Sequence, residues 1–336
     1  MNRKINEFWM HAKRLHEALS KAWLCGCSNH TANLQLQHRT SDDVEFDVLF
    51  GVDVSTGKRD WKETKIKMVS RESTCDTTIH ISLAQPTVLP VRAARQVHWN
   101  TPQCQPSNTF GKDDMMKIID LCSTLSKGRR PCFGFLDGDG YRFEVYPGQQ
   151  TAAGIELETV SLDALLHHSR SPLTRRRRYY LALILASSYL QLCSTPWLNA
   201  PLRKDSILFL RDPSSEGRLL IDNPYICRKM AKQPTKDAND AISTLGIRLL
   251  ELCFGIPLEE CEFRRQLPPG DEVSGPILDR AAAVLWSKTV NEEAGSDFAD
   301  AIEWCLHAKE LSDGSWRREI WTRVIDPLED CHRQVS

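Results

Sequence analysis

The chain has 336 residues, 41% hydrophobic and 26% charged, enough for an ordinary core in two domains or one two-lobed domain. Its 43 Lys plus Arg against 44 Asp plus Glu, a net charge of −1, argue against a general polyanion-binding surface and so against a nucleic-acid partner; a local basic patch stays open. No run approaches the roughly 18 uninterrupted apolar residues of a membrane span, and the N-terminal stretch lacks the apolar core and cleavage site of a signal peptide.

The expectation is a soluble, cytoplasmic protein. In that reducing setting the 12 cysteines, several of them in apolar runs (Cys193, Cys253, Cys305), read as small buried hydrophobes and not as a disulfide framework.

In chain order, Ile5, Phe8, Trp9, Ala12, Leu15, Leu19, Ala22 and Trp23 recur at helical spacing and predict an amphipathic helix over 1–23. Its apolar stripe is too large to leave in water. LCGCSNH interrupts it. ANLQLQHR, VEFDVLF and TKIKMV then alternate as strands of one sheet. Residues 70–111, rich in Thr, Pro, Gln and Asn, read as an irregular insertion. A helix is expected over DDMMKIIDLCSTLS. CFGFL and YRFEVYP follow as a hairpin around DGDG.

VSLDALLHH reads as a short helix, and from 173 onward the texture is helical. LTRRRRYYLALILASSYLQLC is apolar nearly all round in its second half, which places it mid-core. ISTLGIRLLELCFG has the same character, with Gly246 permitting close backbone approach and Gly255 placed to end the helix. Between these two helices ILFL and LLID flank the turn RDPSSEGR. LDRAAAVLWSKTV, DFADAIEWCLHAK and WRREIWTRVIDPLE complete the chain as helices.

WLNAPLRKDSILFL resembles the protein-kinase catalytic loop, HRDLKxxNILL, and matches its spacing from Asn199 through Leu208. LLIDNPY is similar to the strand and DFG turn that follow in kinases, and ISTLGIRLLELCFGIPLEE to the central helix of the large lobe. More narrowly, LHEALSKAWLCGCSNHTANLQL, TPWLNAP and AIEWCL resemble a fungal family of kinase-like domains without assigned function. Its members commonly follow a helical segment like those of incompatibility and cell-death proteins.

The resemblance implies an α+β, two-lobed kinase-like fold. An N-terminal helix and Cys/His turn (1–30) would precede a small antiparallel-sheet lobe (31–155) and a large helical lobe (156–336).

It also locates the chemistry that is missing. Pro201 stands where an active kinase has its proton-accepting aspartate, Asn199 where it has the loop histidine, and Ser206 where it has a magnesium-binding asparagine. Asp222 matches the metal-binding aspartate, but Asn223 and Pro224 follow it, and Pro224 fixes its backbone. The strand hairpin has no glycine-rich loop. Lys65 or Lys67 would be the strand lysine, and the helix expected to supply its glutamate partner offers only aspartates. GVDVSTGKR falls short of a phosphate-binding loop and reads as a hairpin turn.

The implied protein is a pseudokinase with no cofactor, which binds a protein partner or regulates in fungal signalling. The alternatives are an atypical phosphotransferase retaining Asp222, and a structural domain carrying an N-terminal helical effector that lies upstream.

Three further clusters stand out. Cys25, Cys27 and His30 are soft ligands close together. Structural zinc wants four, so packing is the reading and metal the alternative. Asp137 and Asp139 suggest a calcium loop but lack the downstream acidic ligands, so a hairpin turn is expected. Arg175 to Arg178 read as a solvated face, with a phosphate or acidic-partner patch as the alternative.

Overall fold

The computed structural model describes residues 3–336 except 26, 28–29, 39–43, 54–58, 71–114, 129, 150–156, 168–172, 199–200, 213–217, 230–240 and 309–315. The insertion expected over 70–111 therefore lies outside the described residues beyond Ser70, as does Asn199.

Alternation in strand β2 (Glu45–Asp53) puts Phe46, Val48 and Phe50 on one face and Leu49 on the other. It pairs on one side with β1 (Thr31–Gln35) and on the other with β3 (Arg59–Ser70). Pairing of β2 with β3 extends to Asp53↔Arg59, so the GVDVSTGKR stretch joins two antiparallel strands. The short helix α2 (Leu121–Ser126) leads to β4 (Gly134–Gly138) and β5 (Tyr141–Pro147), joined where Gly140 takes φ +75°. This is the hairpin that DGDG predicts.

The helix expected over 113–126 is much shorter than its periodicity suggests. Residues 115–119 run extended beside β4: the Ile118 N–H donates to the Phe135 carbonyl (2.8 Å) and the Phe135 N–H to the Met116 carbonyl (3.0 Å). Asp120 then starts the helix by accepting from the Cys122 N–H at 3.1 Å. Pairing with a strand outweighs local helix propensity here.

The second correction concerns the strands after residue 155. β6 (Glu158–Ser161), β7 (Ile207–Asp212) and β8 (Arg218–Lys229) do not form a separate hairpin inside a helical half. They extend the same sheet through β1↔β8, giving the order β4-β5-β3-β2-β1-β8-β7-β6, antiparallel throughout.

One face of the sheet carries α1 (Arg3–Ala22) and α4 (Arg175–Leu192). The α1 stripe docks as its periodicity predicts. Phe8 lies 5.1 Å from Phe46 ring to ring, and Leu15 and Leu19 are fully buried. Thr174 caps α4, whose second half is buried on all sides. α3 (Leu162–His167) lies between β6 and α4 in sequence.

α5 (Ala241–Phe254) packs on α4 and on the later helix Ser296–His307. A Cβ on Gly246 would meet Cys305 Cβ and Leu306 Cδ2 at 3.0 Å, which is why that position has none. Gly255 ends α5 at φ +75°, and Arg178 Nη1 donates to the Cys253 carbonyl at 2.6 Å. Arg178 is thus a helix-end cap and not part of a solvated face. On the opposite face of the sheet Leu49, Leu157, Leu210 and Tyr225 form a smaller cluster with Trp61.

Candidate functional site

The segment from Trp197 to Leu210 joins α4 to β7. Its first residue is fully buried. Trp197 Nε1 donates to the Ala12 carbonyl of α1 (2.7 Å), and its own carbonyl accepts from Arg228 Nε of β8 (2.5 Å). His16 of α1 meets the indole edge-on at 5.2 Å. Leu202 and Ile207 face inward, whereas Leu208 is half-buried and joins the smaller cluster.

Pro201 is half-buried and has neither charge nor proton-accepting side chain. Ser206 closes a short 3-10 turn (Lys204–Ser206) and donates its hydroxyl to the Arg203 carbonyl at 2.7 Å. Asp205 forms a two-pronged pair with Arg203 (3.1 and 2.7 Å), and that hydrogen bonding holds its carboxyl below the usual range.

Asp222 does not sit in a turn. It lies inside β8, where the β7 register jumps from Leu208↔Tyr225 to Leu210↔Leu220. Residues 221–224 therefore oppose Phe209 alone and form a bulge. Pro224, with no N–H to give, fits this interruption of the ladder, and its carbonyl accepts from the Leu36 N–H at 2.7 Å. Asp222 and Asn223 are exposed on the bulge. Where the resemblance implies a metal-binding turn, residues 221–224 form a bulge within β8.

Lys65 and Lys67 are also committed across the sheet. Lys65 pairs with Glu45 (3.2 Å) and Asp47 (3.8 Å), and Lys67 with Glu45 (2.9 Å). Their hydrogen bonding keeps Glu45 below its ordinary pKa. The aspartate of α2 nearest them in role, Asp120, is spent on capping. Asp137, the calcium candidate, pairs with Lys117 at 2.8 Å.

An ionic knot under the loop escapes the motif reading. Glu251 of α5 is fully buried, accepts from the Leu258 N–H (2.9 Å), pairs with Arg248 and lies 3.4 Å from Lys204 Nζ. Lys204 also pairs with Glu259 and with Asp163 (3.3 Å). Burial works to lower the Lys204 ammonium, but Glu251 and Glu259 outweigh it and hold its pKa above the usual range. The available signal was a lone acid inside the apolar run LGIRLLELCFG.

Elsewhere, Cys25, Cys27 and His30 converge as their spacing suggests, and α2 adds Cys122. Their ligand atoms lie within 4.8 Å of one another. Burial, hydrogen bonding to Cys25 and the neighbouring thiols push Cys122 up to about 12.

The fold and site define an α+β domain on one eight-stranded antiparallel sheet, with its loop before β7 tied into the core. The family model described as "Domain of unknown function (DUF7580)" matches residues 2–334, and the chain belongs to that family. No curated protein matches the chain. Among solved structures it is similar to the complex of Neurospora crassa PAN2 (WD40-CS1) with PAN3 (pseudokinase and C-term). That match has 8% identity and a TM-score of 0.32, over 100% of this chain and 71% of that one. Among the described residues no helix is long and apolar enough to cross a membrane.

Proposed function

We propose that the chain is a pseudokinase-like domain, a two-lobed kinase scaffold without phosphoryl-transfer chemistry, which serves as a protein-interaction or regulatory module in fungal intracellular signalling. The observation that carries the reading is the state of the loop that resembles the kinase catalytic loop. Pro201 occupies the base position, and Ser206 donates its hydroxyl to the backbone where a metal ligand is needed. Phosphoryl transfer depends on a positioned nucleophile and on metal and cationic stabilisation of charge, and general-base help alone contributes roughly 10²–10⁴-fold. The commitment of Lys65 and Lys67 to Glu45 supports the same view.

The test is transfer of radiolabelled phosphate from ATP with magnesium, to the chain itself and to generic substrates. No incorporation is expected, in the wild type or in Pro201→Asp with Ser206→Asn. The exposure of Asp222 favours a second reading, an atypical nucleotide-binding phosphotransferase. Incorporation that disappears in Asp222→Ala would establish that reading and defeat the first.

A further inference from the structure

Between α1 and β1 the chain reverses through Cys25, Cys27 and His30. Trp23 sets this turn. Its ring lies 5.5 Å from Phe50 on the sheet and 5.1 Å from His30, which is only 5% exposed. The imidazole Nε2 is thereby brought to 2.9 Å from Cys25 Sγ. From the other side comes α2, anchored in the core by the fully buried Leu121 and started by Asp120, which accepts from the Cys122 N–H at 3.1 Å. That places Cys122 Sγ within 4.8 Å of the ligand atoms of Cys25, Cys27 and His30. Three thiols and one imidazole from two distant segments thus share one small volume.

We propose that Cys25, Cys27, His30 and Cys122 form a structural zinc site that ties the α1–β1 turn to α2.

The donor set is the first support. Three cysteines with one histidine is a standard ligand set for structural zinc. The spacing of the atoms is the second. Zn–S bonds of about 2.3 Å and Zn–N bonds of about 2.0–2.1 Å give tetrahedron edges of about 3.5–3.8 Å. Here His30 Nε2 and Cys25 Sγ are 2.9 Å apart and all four ligand atoms lie within 4.8 Å of one another, so small side-chain rotations about that centre suffice. A two-iron cluster, with its ligand pairs on different irons, needs a wider spread. Four protein ligands leave no open position, so the role is structural and not catalytic.

Two ordinary explanations fit less well. A packing cluster buries its thiols, yet Cys27 is exposed and still converges on the others. A disulfide would leave the third thiol over and give the histidine no part. Binding deprotonates the thiols, so each zinc taken up displaces their protons to solvent, and the metal couples to folding of the elements it joins.

The test uses the full chain without a histidine tag, grown with added zinc and measured by elemental analysis. One zinc per chain is expected, with Cys122→Ser binding none and releasing no metal to a thiol-blocking reagent. Replacement by cobalt in the wild type should give the strong tetrahedral d–d bands and thiolate-to-cobalt charge transfer of a three-sulfur site. This spectrum reads the site even if Cys122→Ser does not fold. Metal-free protein that also fails to bind cobalt would overturn the proposal. So would full zinc content in Cys122→Ser, or a cobalt spectrum with fewer thiolates.

Discussion

Replacing Glu251 by alanine probes the link between the 197–210 segment and the core. The carboxylate is fully buried and holds three partners: the Leu258 N–H, the Arg248 guanidinium and the Lys204 ammonium. Lys204 retains Asp163 and Glu259, so its loss is the smallest. The Leu258 N–H is left buried without its acceptor, at about 1–3 kcal/mol. Arg248, with its side chain only 11% exposed, loses the carboxylate that balances it. Removing one partner of a buried pair typically costs about 3–5 kcal/mol, a figure that already includes part of the N–H term, and that is the total expected for Glu251→Ala. Glu251→Gln keeps an acceptor for Leu258 and gives up the charge, so its cost is lower, on the order of 1.5–3 kcal/mol. Urea unfolding followed by tryptophan fluorescence measures both. A loss below about 1 kcal/mol in the alanine variant, or a glutamine variant less stable than it, would show that the knot does not hold the loop.

Two further outcomes are expected. Gly246→Leu should lower stability by ~1–3 kcal/mol, because its first side-chain carbon already meets Cys305 and Leu306 at 3.0 Å; an unchanged melting temperature would refute the close packing of α5. Acid should destabilise the fold in two stages. Burial lowers His16, against Glu17 and with Arg228, and lowers His38, against Glu329 and with Arg333 and His332. Because the folded values lie below the unfolded one of about 6.5, their contribution is whole above that pH and drains as pH falls through the folded values. Glu45 and Glu259, held low by lysines, add a loss below about 4.5. The urea midpoint should therefore fall from about pH 7.5 to about pH 5, and the His16→Gln, His38→Gln pair should flatten that slope; a midpoint that rises on acidification contradicts the assignment.

Much of the fold is legible in the chain because its signals are local. The α1 stripe, the alternation of β2, the DGDG hairpin and the roles of Gly246 and Gly255 each depend on a few neighbouring residues. What the chain hides is non-local. KIID has helical periodicity, yet it lies beside β4 because Phe135 offers it backbone partners. The IDNPY stretch looks like a turn through its proline, but pairing with β1 and β7 draws it into strand as a bulge. The sheet that joins β8 to β1 brings together segments almost two hundred residues apart in sequence, which no window of the chain reports. The same holds for the fourth thiol: Cys122 has nothing around it that points to Cys25.

The loop from 197 to 210 is best understood through what each residue holds. Trp197 is fastened at both ends, its indole to α1 and its carbonyl to β8. Lys204 is fastened to α5 through Glu251 and to α3 through Asp163. Here the indole faces the core, Ser206 turns its hydroxyl onto the backbone, and Lys204 is enclosed by carboxylates. The ties made by Trp197 and Lys204 join this segment to α1, the sheet, α3 and α5. A segment so placed resists substitution for structural reasons alone, with Leu202 and Ile207 turned into the core.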